Sequence, residues 1–324
     1  MNSFAYAAPK TVPEAVALLG NEWGRTEVMA GGTDLVTCLK QAITSPERVV
    51  SLKHIKELKG IRSKSGQLMV GSTTTLAELI ENADVKKHFP ALVTAAQGVG
   101  SAQLLHAGTV GGDLCQRPRC WYFRNGFGLL ARDGDTSLAR EGDNRYHAVF
   151  GNDGPALFVS PSSLGPALVA LGAEMTIAGA GGKTRRVAAA EFFRAPKSDK
   201  ERETALQPNE ILTEISIPMK GLKNATYEVR HRHGLDWPYA TASVAFAWKG
   251  GSASDAQVVL GHVAPLPWRS PGAGASLNNA AVNEGVAVRC GEAAAQGATP
   301  LSGNAYKVQM VKVAVKRAVL AAAS

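Results

Sequence analysis

Two glycine-rich segments carry the clearest chemical signal in this sequence. One reads AGGTDL from residue 30 and the other reads GTVGGD from residue 108. A diphosphate carries concentrated negative charge, so it binds best where backbone N–H groups converge and no Cβ blocks its approach. Either segment considered singly is more typical of an ordinary turn. Paired glycines next to a hydroxyl residue nevertheless make both segments candidates for binding a diphosphate.

The other polar residues form no recognisable catalytic constellation. Neither glycine segment has the spacing of a nicotinamide fingerprint or a Walker loop, and the chain has no GxSxG elbow, no HExxH motif and no convincing carboxylate pair. His231 and His233 alternate along an expected strand, but no third metal ligand accompanies them. We therefore predict no catalytic side chain and no metal site. The chemistry is expected to belong to a bound cofactor.

Alternating helix and strand patterns must position the two segments. TVPEAVALLG predicts a short helix that stops at Gly20, and a strand at 27–30 leads into the first glycine segment. A further strand ends at Val70, before a threonine-rich cap and a helix from about Leu76. An alanine-rich helix from Pro90 to Gly98 leads towards the second glycine segment, which we interpret as a turn.

A break at GLKNA, residues 221–225, separates this pattern from a later one of strands followed by alanine-rich helices. We predict a first subdomain at 1–57, a second at 58–220 and a C-terminal α/β domain at 221–324. The second subdomain contains a polar, aperiodic insertion at about 114–155. Its length is unusual for a connection, which indicates a functional role or an acquired segment.

Composition narrows the class of protein. With 324 residues, 45% hydrophobic and 19% charged, the chain can bury a full core. Its net charge of +8 comes from scattered lysines and arginines, which disfavours nucleic acid and suits an acidic partner or an anionic cofactor. The four cysteines suggest no disulfide framework, and no apolar stretch is long enough to span a membrane. We expect a cytoplasmic protein by default, with periplasmic co-export by a signal-bearing partner left open.

The ordered motifs resemble one known family. AGGTDL near 30, VGSTTTLAEL near 70, GTVGGD near 110, SPSSL near 160 and NEILTEISIP near 210 occur in the order and spacing of the FAD-binding (medium) subunits of the xanthine dehydrogenase and aldehyde oxidoreductase family of molybdenum hydroxylases. The resemblance covers essentially the whole chain. QRPRCWYFRNG followed by DNRYHAVFG resembles the insertion of the bacterial periplasmic-type aldehyde oxidoreductase branch.

This resemblance implies an α+β fold. A PCMH or vanillyl-alcohol-oxidase-type domain with two α/β subdomains would hold FAD in extended form, followed by a C-terminal domain of the CO-dehydrogenase flavoprotein type. The resemblance also implies a set of cofactor-binding residues, with no catalytic residue and no metal ligand among them: Met29, Ala30, Gly31, Gly32, Thr33, Asp34, Leu35, Thr109, Gly111, Gly112, Asp113, Ser163, Leu212 and Glu228.

Three of these residues depart from the family pattern. Asp113 stands where Asn is usual, Ser163 where Asp is common, and Glu228 where Lys often approaches the flavin. A carboxylate near a diphosphate is repulsive unless it points at the ribose hydroxyls or the flavin edge. Phosphate binding through the backbone should survive all three changes.

The insertion also departs from its branch. There it carries four cysteines for a 4Fe-4S cluster, and four thiolates are the usual requirement for such a cluster. Here only Cys120 matches one of those positions, and Cys115 lies out of register. His147 belongs to a pattern that is present even where four cysteines do the work. We predict that this chain holds no 4Fe-4S cluster.

The predicted function is therefore an FAD-binding electron-transfer subunit. Electrons would pass from partner iron–sulfur centres through FAD to an external acceptor. The implied partners are a large molybdenum-cofactor subunit and a small 2Fe-2S subunit, without nucleic acid and without a membrane span. Two alternatives stay open, namely a self-sufficient FAD-dependent oxidase and a degenerate scaffold that binds FAD weakly.

The visible absorbance spectrum of the purified chain tests these cofactor predictions. We expect flavin bands without the broad shoulder of an iron–sulfur cluster, because the cysteines are too few to hold one. A colourless chain that cannot be reconstituted with FAD would favour the scaffold. An iron–sulfur shoulder would contradict the prediction for the insertion.

Overall fold

Strand pairing in the computed structural model, which describes residues 1–232 and 236–324, sorts the main strands into three sheets. The first is small and parallel. Its strands are β1 (Ala5–Ala7), β2 (Thr26–Met29) and β3 (Arg48–Ser51), in the order β1-β3-β2, and its helices are α1 (Val12–Ala17) and α2 (Leu35–Lys40). The Thr11 side chain caps α1 by accepting from the N–H of Glu14, and this predicted helix ends at Ala17, before the expected stop at Gly20.

The second sheet is antiparallel and larger. Between residues 61 and 218 the strands are β4 (Ile61–Lys64), β5 (Gln67–Gly71), β6 (Arg132–Asp133), β7 (Thr136–Ser137), β8 (Glu174–Ala178), β9 (Thr184–Ala188) and β10 (Ile211–Pro218). The sheet order is β4-β5-β10-β8-β9, while β6 and β7 pair separately as a hairpin. Strand β10 is the last of these strands in sequence but lies in the middle of the sheet. The sheet is therefore complete only when residues 211–218 pair between β5 and β8.

Short helices cover this second sheet and lead towards the site. They are α3 (Leu76–Glu81), α4 (Ala83–His88), α5 (Pro90–Gln97), α6 (Ala102–Ala107), α7 (Val110–Cys115), α8 (Trp121–Arg124), α9 (Leu138–Glu141), α10 (Gly165–Ala170) and α11 (Ala189–Phe192). The start of α3 at Leu76 confirms the predicted cap, since Thr75 and Glu78 form a reciprocal capping box. The sheet and these helices share one core that includes Leu68, Met175 and Ile215.

The third sheet and the last helices form a separate core. Its strands are β11 (Lys223–Val229), β12 (Ala240–Lys249), β13 (Ser252–Gly261) and β14 (Trp268–Arg269), paired antiparallel in that order, and its helices are α12 (Pro271–Leu277), α13 (Glu284–Ala294) and α14 (Tyr306–Ala323). Helix α14 packs against β11 and β12. Its buried residues recur at helical spacing: Val311, Ala314, Val315, Ala318, Val319 and Ala322.

One predicted strand is shorter than expected. The pairing of β11 with β12 ends at Val229, which lies opposite Ala240, so His231 lies beyond the strand. The expected alternation of His231 and His233 on one strand face is therefore wrong for His231, because the ladder has already ended. His233 lies outside the described residues. The predicted limits of the three domains stay a prediction.

The insertion at 114–155 contains α8, α9 and the β6–β7 hairpin, and it is tied to the C-terminal domain by Lys307. This side chain is 1% exposed. Its Nζ donates to the carbonyl groups of Tyr146 (3.3 Å) and His147 (3.1 Å) in the insertion, and to that of His262 (2.7 Å) after β13. Burial lowers the pKa of Lys307 to about 7. The three carbonyl groups thus replace the water that a surface ammonium would bind.

Replacing Lys307 tests this connection. Lys307→Ala is expected to lower the free energy of unfolding by about 3 kcal/mol, because buried carbonyl groups lose their donor. Urea unfolding followed by circular dichroism measures the change. The control is Lys312→Ala in the same helix, whose 3.5 Å pair with Glu292 is partly exposed; its loss should be below about 0.5 kcal/mol. Equal losses in both variants would contradict the role given to Lys307.

Candidate functional site

The two glycine segments line one cleft. The cleft has a volume of about 270 Å³ and opens to solvent. Of the predicted cofactor-binding residues, those that line it are Thr33, Asp34, Thr109, Gly112, Asp113 and Ser163. The cleft's apolar surface comes from side chains that sequence reasoning did not single out: Leu76, Val99, Leu104, Trp237 and Pro238.

Backbone contact joins the two segments. A Cβ placed on Gly31 would lie 1.8 Å from the carbonyl oxygen of Ala107 and 3.3 Å from the Cα of Gly108. No side chain fits there, so the loop after β2 and the residues before α7 touch directly. Gly32 has φ of +75°, a conformation that glycine adopts without strain. These two constraints explain the adjacent glycines of the first segment.

The first segment presents unused N–H groups. Among the described residues, none accepts a hydrogen bond from the N–H of Gly31, Gly32, Thr33 or Asp34. Consecutive free backbone N–H groups in a glycine-rich turn often bind phosphate groups. The residues therefore fit a diphosphate, and the apolar walls of the same cleft fit a flat aromatic ring.

The second segment is the first turn of a helix, which corrects our interpretation of it as a simple turn. The Thr109 hydroxyl caps α7 by accepting from the N–H of Gly112 at 3.0 Å. Gly111 is used for close packing, since its N–H donates to the Ser72 carbonyl at 2.8 Å and a Cβ would lie 2.8 Å from the same oxygen. The threonine cap followed by small residues is compatible with a helix, although two glycines favour a turn locally.

Asp113 faces away from the first segment, towards residues 162–164. Its carboxylate accepts from the Ser162 hydroxyl at 2.6 Å. The N–H groups of Ser163 (3.2 Å) and Leu164 (3.0 Å) also donate to it. Burial raises the pKa of Asp113, and these donors oppose the rise. The SPSSL motif thus satisfies the hydrogen bonds of the buried carboxyl.

Glu228 lies behind the cleft wall, in an ion pair with Arg230. Its side chain is 8% exposed, and its Oε1 has no hydrogen-bond partner among the residues that the structure describes. Burial raises the pKa of Glu228 to about 7, against the effect of Arg230. A Cβ on Gly98, which lines the cleft, would lie 2.3 Å from its Oε2. Glu228 therefore supports the wall through Gly98 and Arg230.

The remaining predicted residues do not line the cleft. Leu212 is 4% exposed in β10 and belongs to the core of the second sheet, so its side chain is enclosed by protein. Seven others are also absent from the lining: Met29, Ala30, Gly31, Gly32, Leu35, Gly111 and Glu228. Six of them are close in sequence to lining residues of the two glycine segments, and Glu228 lies behind Gly98.

The lining also includes polar residues that sequence reasoning missed. These are Gln116, Arg119, Arg230 and Asp236. Gln116 and Arg119 belong to CQRPRC, which closely follows the second glycine segment. The two arginines of this stretch, so near a candidate anion-binding motif, could have identified it as part of the site. No sequence motif pointed to Arg230 or Asp236, because the end of β11 and the segment before β12 reach the cleft only through the tertiary fold.

The sulfur atoms of the insertion do not form a ligand cluster. Cys120 Sγ lies 3.2 Å from His147 Nε2. Burial raises the pKa of Cys120 and lowers that of His147 to about 4, so this pair is a neutral thiol and a neutral imidazole. Across the described part of the chain, no group of three or more His, Cys, Asp or Glu side chains could hold a metal ion. The prediction for His233 lies outside the described residues.

The helices are short. In residues 1–232 and 236–324, none has the length and apolar character needed to cross a membrane.

Family models match both parts of the chain. The model described as the FAD binding domain in molybdopterin dehydrogenase matches residues 2–220, and the CO dehydrogenase flavoprotein C-terminal domain matches residues 225–322. Both matches agree with the fold class expected from the ordered motifs.

Curated relatives cover nearly the whole chain. The chain is 30% identical to the carbon monoxide dehydrogenase medium chain of Hydrogenophaga pseudoflava, over 98% of this chain and 96% of the relative. It is also 30% identical to the aldehyde oxidoreductase FAD-binding subunit of Escherichia coli (strain K12), over 87% of this chain and 88% of the relative.

Solved structures share the fold. A chain of carbon monoxide dehydrogenase from Hydrogenophaga pseudoflava that lacks the Mo-pyranopterin moiety superposes with a TM-score of 0.77 and 28% identity, covering 99% of this chain and 97% of that one. Quinoline 2-oxidoreductase from Pseudomonas putida 86 has the same fold, with a TM-score of 0.78, 23% identity and coverage of 99% and 97%. The resemblance inferred from the motifs is confirmed: this chain belongs to the family of FAD-binding medium subunits of molybdenum hydroxylases, as an oxidoreductase subunit whose cofactor is FAD.

Proposed function

We propose that this chain works in a complex with a large molybdenum-cofactor subunit and a small 2Fe-2S subunit, and carries electrons from them to an external acceptor. The relatives' names support this, because "medium chain" and "FAD-binding subunit" denote one subunit among several. The net charge of +8 suits an acidic partner surface. Substrate oxidation then belongs to another chain, in agreement with the lack of a catalytic motif in this sequence.

The observation that carries the proposal is the cleft between the two glycine segments. FAD supplies the redox chemistry when it is bound there. The free N–H groups of residues 31–34 bind its diphosphate, and Thr109 and Gly112 border the same space. The apolar wall around Leu104 and Trp237 excludes water from a ring system.

The predicted cofactor-binding residues divide by role in this proposal. Thr33, Asp34, Thr109, Gly112, Asp113 and Ser163 border the cofactor. The glycines at 31, 32 and 111 act by allowing close backbone approach. Leu212 and Glu228 act from behind the lining, through the packing of β10 and through the pair with Arg230.

We assign the complex to the aldehyde oxidoreductase branch and to the cytoplasm. The branch is supported by the insertion motifs, since the 30% identity to the Escherichia coli aldehyde oxidoreductase subunit is matched by that to the carbon monoxide dehydrogenase medium chain. The compartment is supported by four free cysteines, of which Cys38 and Cys290 are buried. The alternative is a periplasmic location, reached by export together with a signal-bearing partner. Fractionation of cells that carry the tagged complex distinguishes the cytoplasmic from the periplasmic location.

Co-purification tests the assembly. The tagged chain is expressed with its neighbouring genes, purified and analysed for flavin, molybdenum and iron. We expect equimolar FAD together with molybdenum and 2Fe-2S centres on the co-purifying chains. A chain that purifies alone with FAD and oxidises a substrate unaided would instead establish a self-sufficient oxidase.

Substitution of Gly31 tests the cleft. Gly31→Ala places a Cβ 1.8 Å from the Ala107 carbonyl oxygen, so the two segments must separate. We expect FAD binding to weaken by about fivefold to a hundredfold, since backbone shifts of this kind cost about 1–3 kcal/mol. Fluorescence titration of the apoprotein with FAD measures the dissociation constant.

The matched control is Gly272→Ala, at an exposed position in α12 where a Cβ meets open space. It should leave FAD affinity unchanged and is not expected to destabilise the helix. Wild-type affinity in Gly31→Ala would show that the two segments do not form the cofactor site.

A further inference from the structure

The insertion places three arginines around the first glycine segment. The backbone N–H of Arg117 donates to Asp34 Oδ2 at 2.8 Å. The guanidinium groups of Arg119 and Arg124 contact Asp34 Oδ1 at 3.1 and 2.9 Å. Two guanidinium charges thus face one carboxylate, which leaves positive charge in excess beside the free N–H groups of residues 31–34.

Arg119 is the member of this group that lines the cleft. One terminal nitrogen contacts Asp34, next to the first glycine segment, and the other donates to Gln116 Oε1 at 2.9 Å, just beyond α7. Gln116 is itself fixed by hydrogen bonds to Asp113 and to the Pro161 carbonyl. The Arg119 guanidinium therefore joins the first glycine segment to Gln116, the residue that follows α7.

The Arg119 side chain has a hydrogen-bond donor that is not used within the described residues. Its Nε is buried and has no hydrogen-bond partner among residues 1–232 and 236–324. A buried donor without an acceptor is costly, so the protein alone does not fully satisfy this guanidinium group. The Trp237 ring centroid lies 4.9 Å from the guanidinium carbon, which holds the group against the cleft wall.

We propose that Arg119 is a cofactor-binding residue that holds the diphosphate of FAD between the two glycine segments. This inference rests on the proposed function of the cleft. The N–H groups of the first segment are neutral donors, and the lining carries three carboxyl groups, of Asp34, Asp113 and Asp236, against two guanidinium groups, of Arg119 and Arg230. A diphosphate therefore needs a cation, and a guanidinium matches phosphate oxygens in charge and geometry. The insertion then serves as an arm of the FAD site.

Three variants of the full chain separate this role from a structural one. Arg119→Gln removes the charge, Arg119→Lys keeps it, and Arg145→Gln removes a charge from the same insertion at an exposed local pair with Asp143. FAD dissociation constants are measured by fluorescence titration at low and high salt. Thermal unfolding of each apoprotein reports the integrity of the fold.

We expect Arg119→Gln to raise the dissociation constant by at least about tenfold and to reduce its dependence on salt. Arg119→Lys should fall between that variant and wild type, and Arg145→Gln should stay within about twofold of wild type. A purely structural role would lower the unfolding temperature without changing the salt dependence. If wild type and Arg119→Gln bind FAD equally well, the inference about Arg119 is wrong but the proposed function stands. If wild type binds no FAD, both the inference and the proposed function are wrong.

Arginine modification of the unmutated chain gives a second readout that does not depend on folding of a variant. Phenylglyoxal labelling is followed by mass spectrometry, with ADP, riboflavin or no ligand present. We expect ADP, which carries a diphosphate, to protect Arg119, whereas riboflavin, which has no phosphate, should not. Arg145 should be labelled equally throughout. Unprotected Arg119 in the presence of ADP, or equal protection by riboflavin, would overturn the inference.

Discussion

Direct backbone contact between Gly31 and the chain at Ala107 is the constraint on which the cofactor site depends. It brings the parallel lobe of β1–β3 against the helices that cover the second sheet, with no side chain between them. Gly111 also approaches backbone closely, since a Cβ there would lie 2.8 Å from the Ser72 carbonyl oxygen. Because backbone meets backbone at both places, the N–H groups of residues 31–34 stay free and the cleft between the segments stays open.

Three acidic groups near the cleft have hydrogen-bond or ion-pair partners. Asp113 accepts from a serine hydroxyl and from backbone N–H groups at 162–164, Asp34 is paired with arginines of the insertion, and one oxygen of Glu228 is paired with Arg230. Buried carboxylates persist only where such donors surround them. The donors of Asp113 and Asp34 come from distant parts of the chain, whereas that of Glu228 is a near neighbour in sequence.

The insertion is held by ordinary packing and hydrogen bonds. A small core that includes Phe123, Leu130 and Phe158 supports it. Lys307 joins its backbone to α14 and to the end of β13, and Cys120 rests beside His147 as a neutral pair. An insertion supported in this way can direct its arginines at the first glycine segment, a geometry consistent with a role in binding the cofactor's phosphates.

The sequence by itself determined the family, the fold class and the two glycine segments, because these depend on local patterns: threonine caps at Thr11 and Thr75, strand alternation, and glycine pairs in a fixed order. It misjudged the second segment, since the Thr109 cap outweighed the turn preference of its glycines. The tertiary structure alone decided where Asp113 points and that Arg119 lines the cleft. The partner of Asp113, Ser162, is 49 residues away, and that of Arg119, Asp34, belongs to another lobe. Burial and pairing over such separations arise from packing and leave no local signature in the chain.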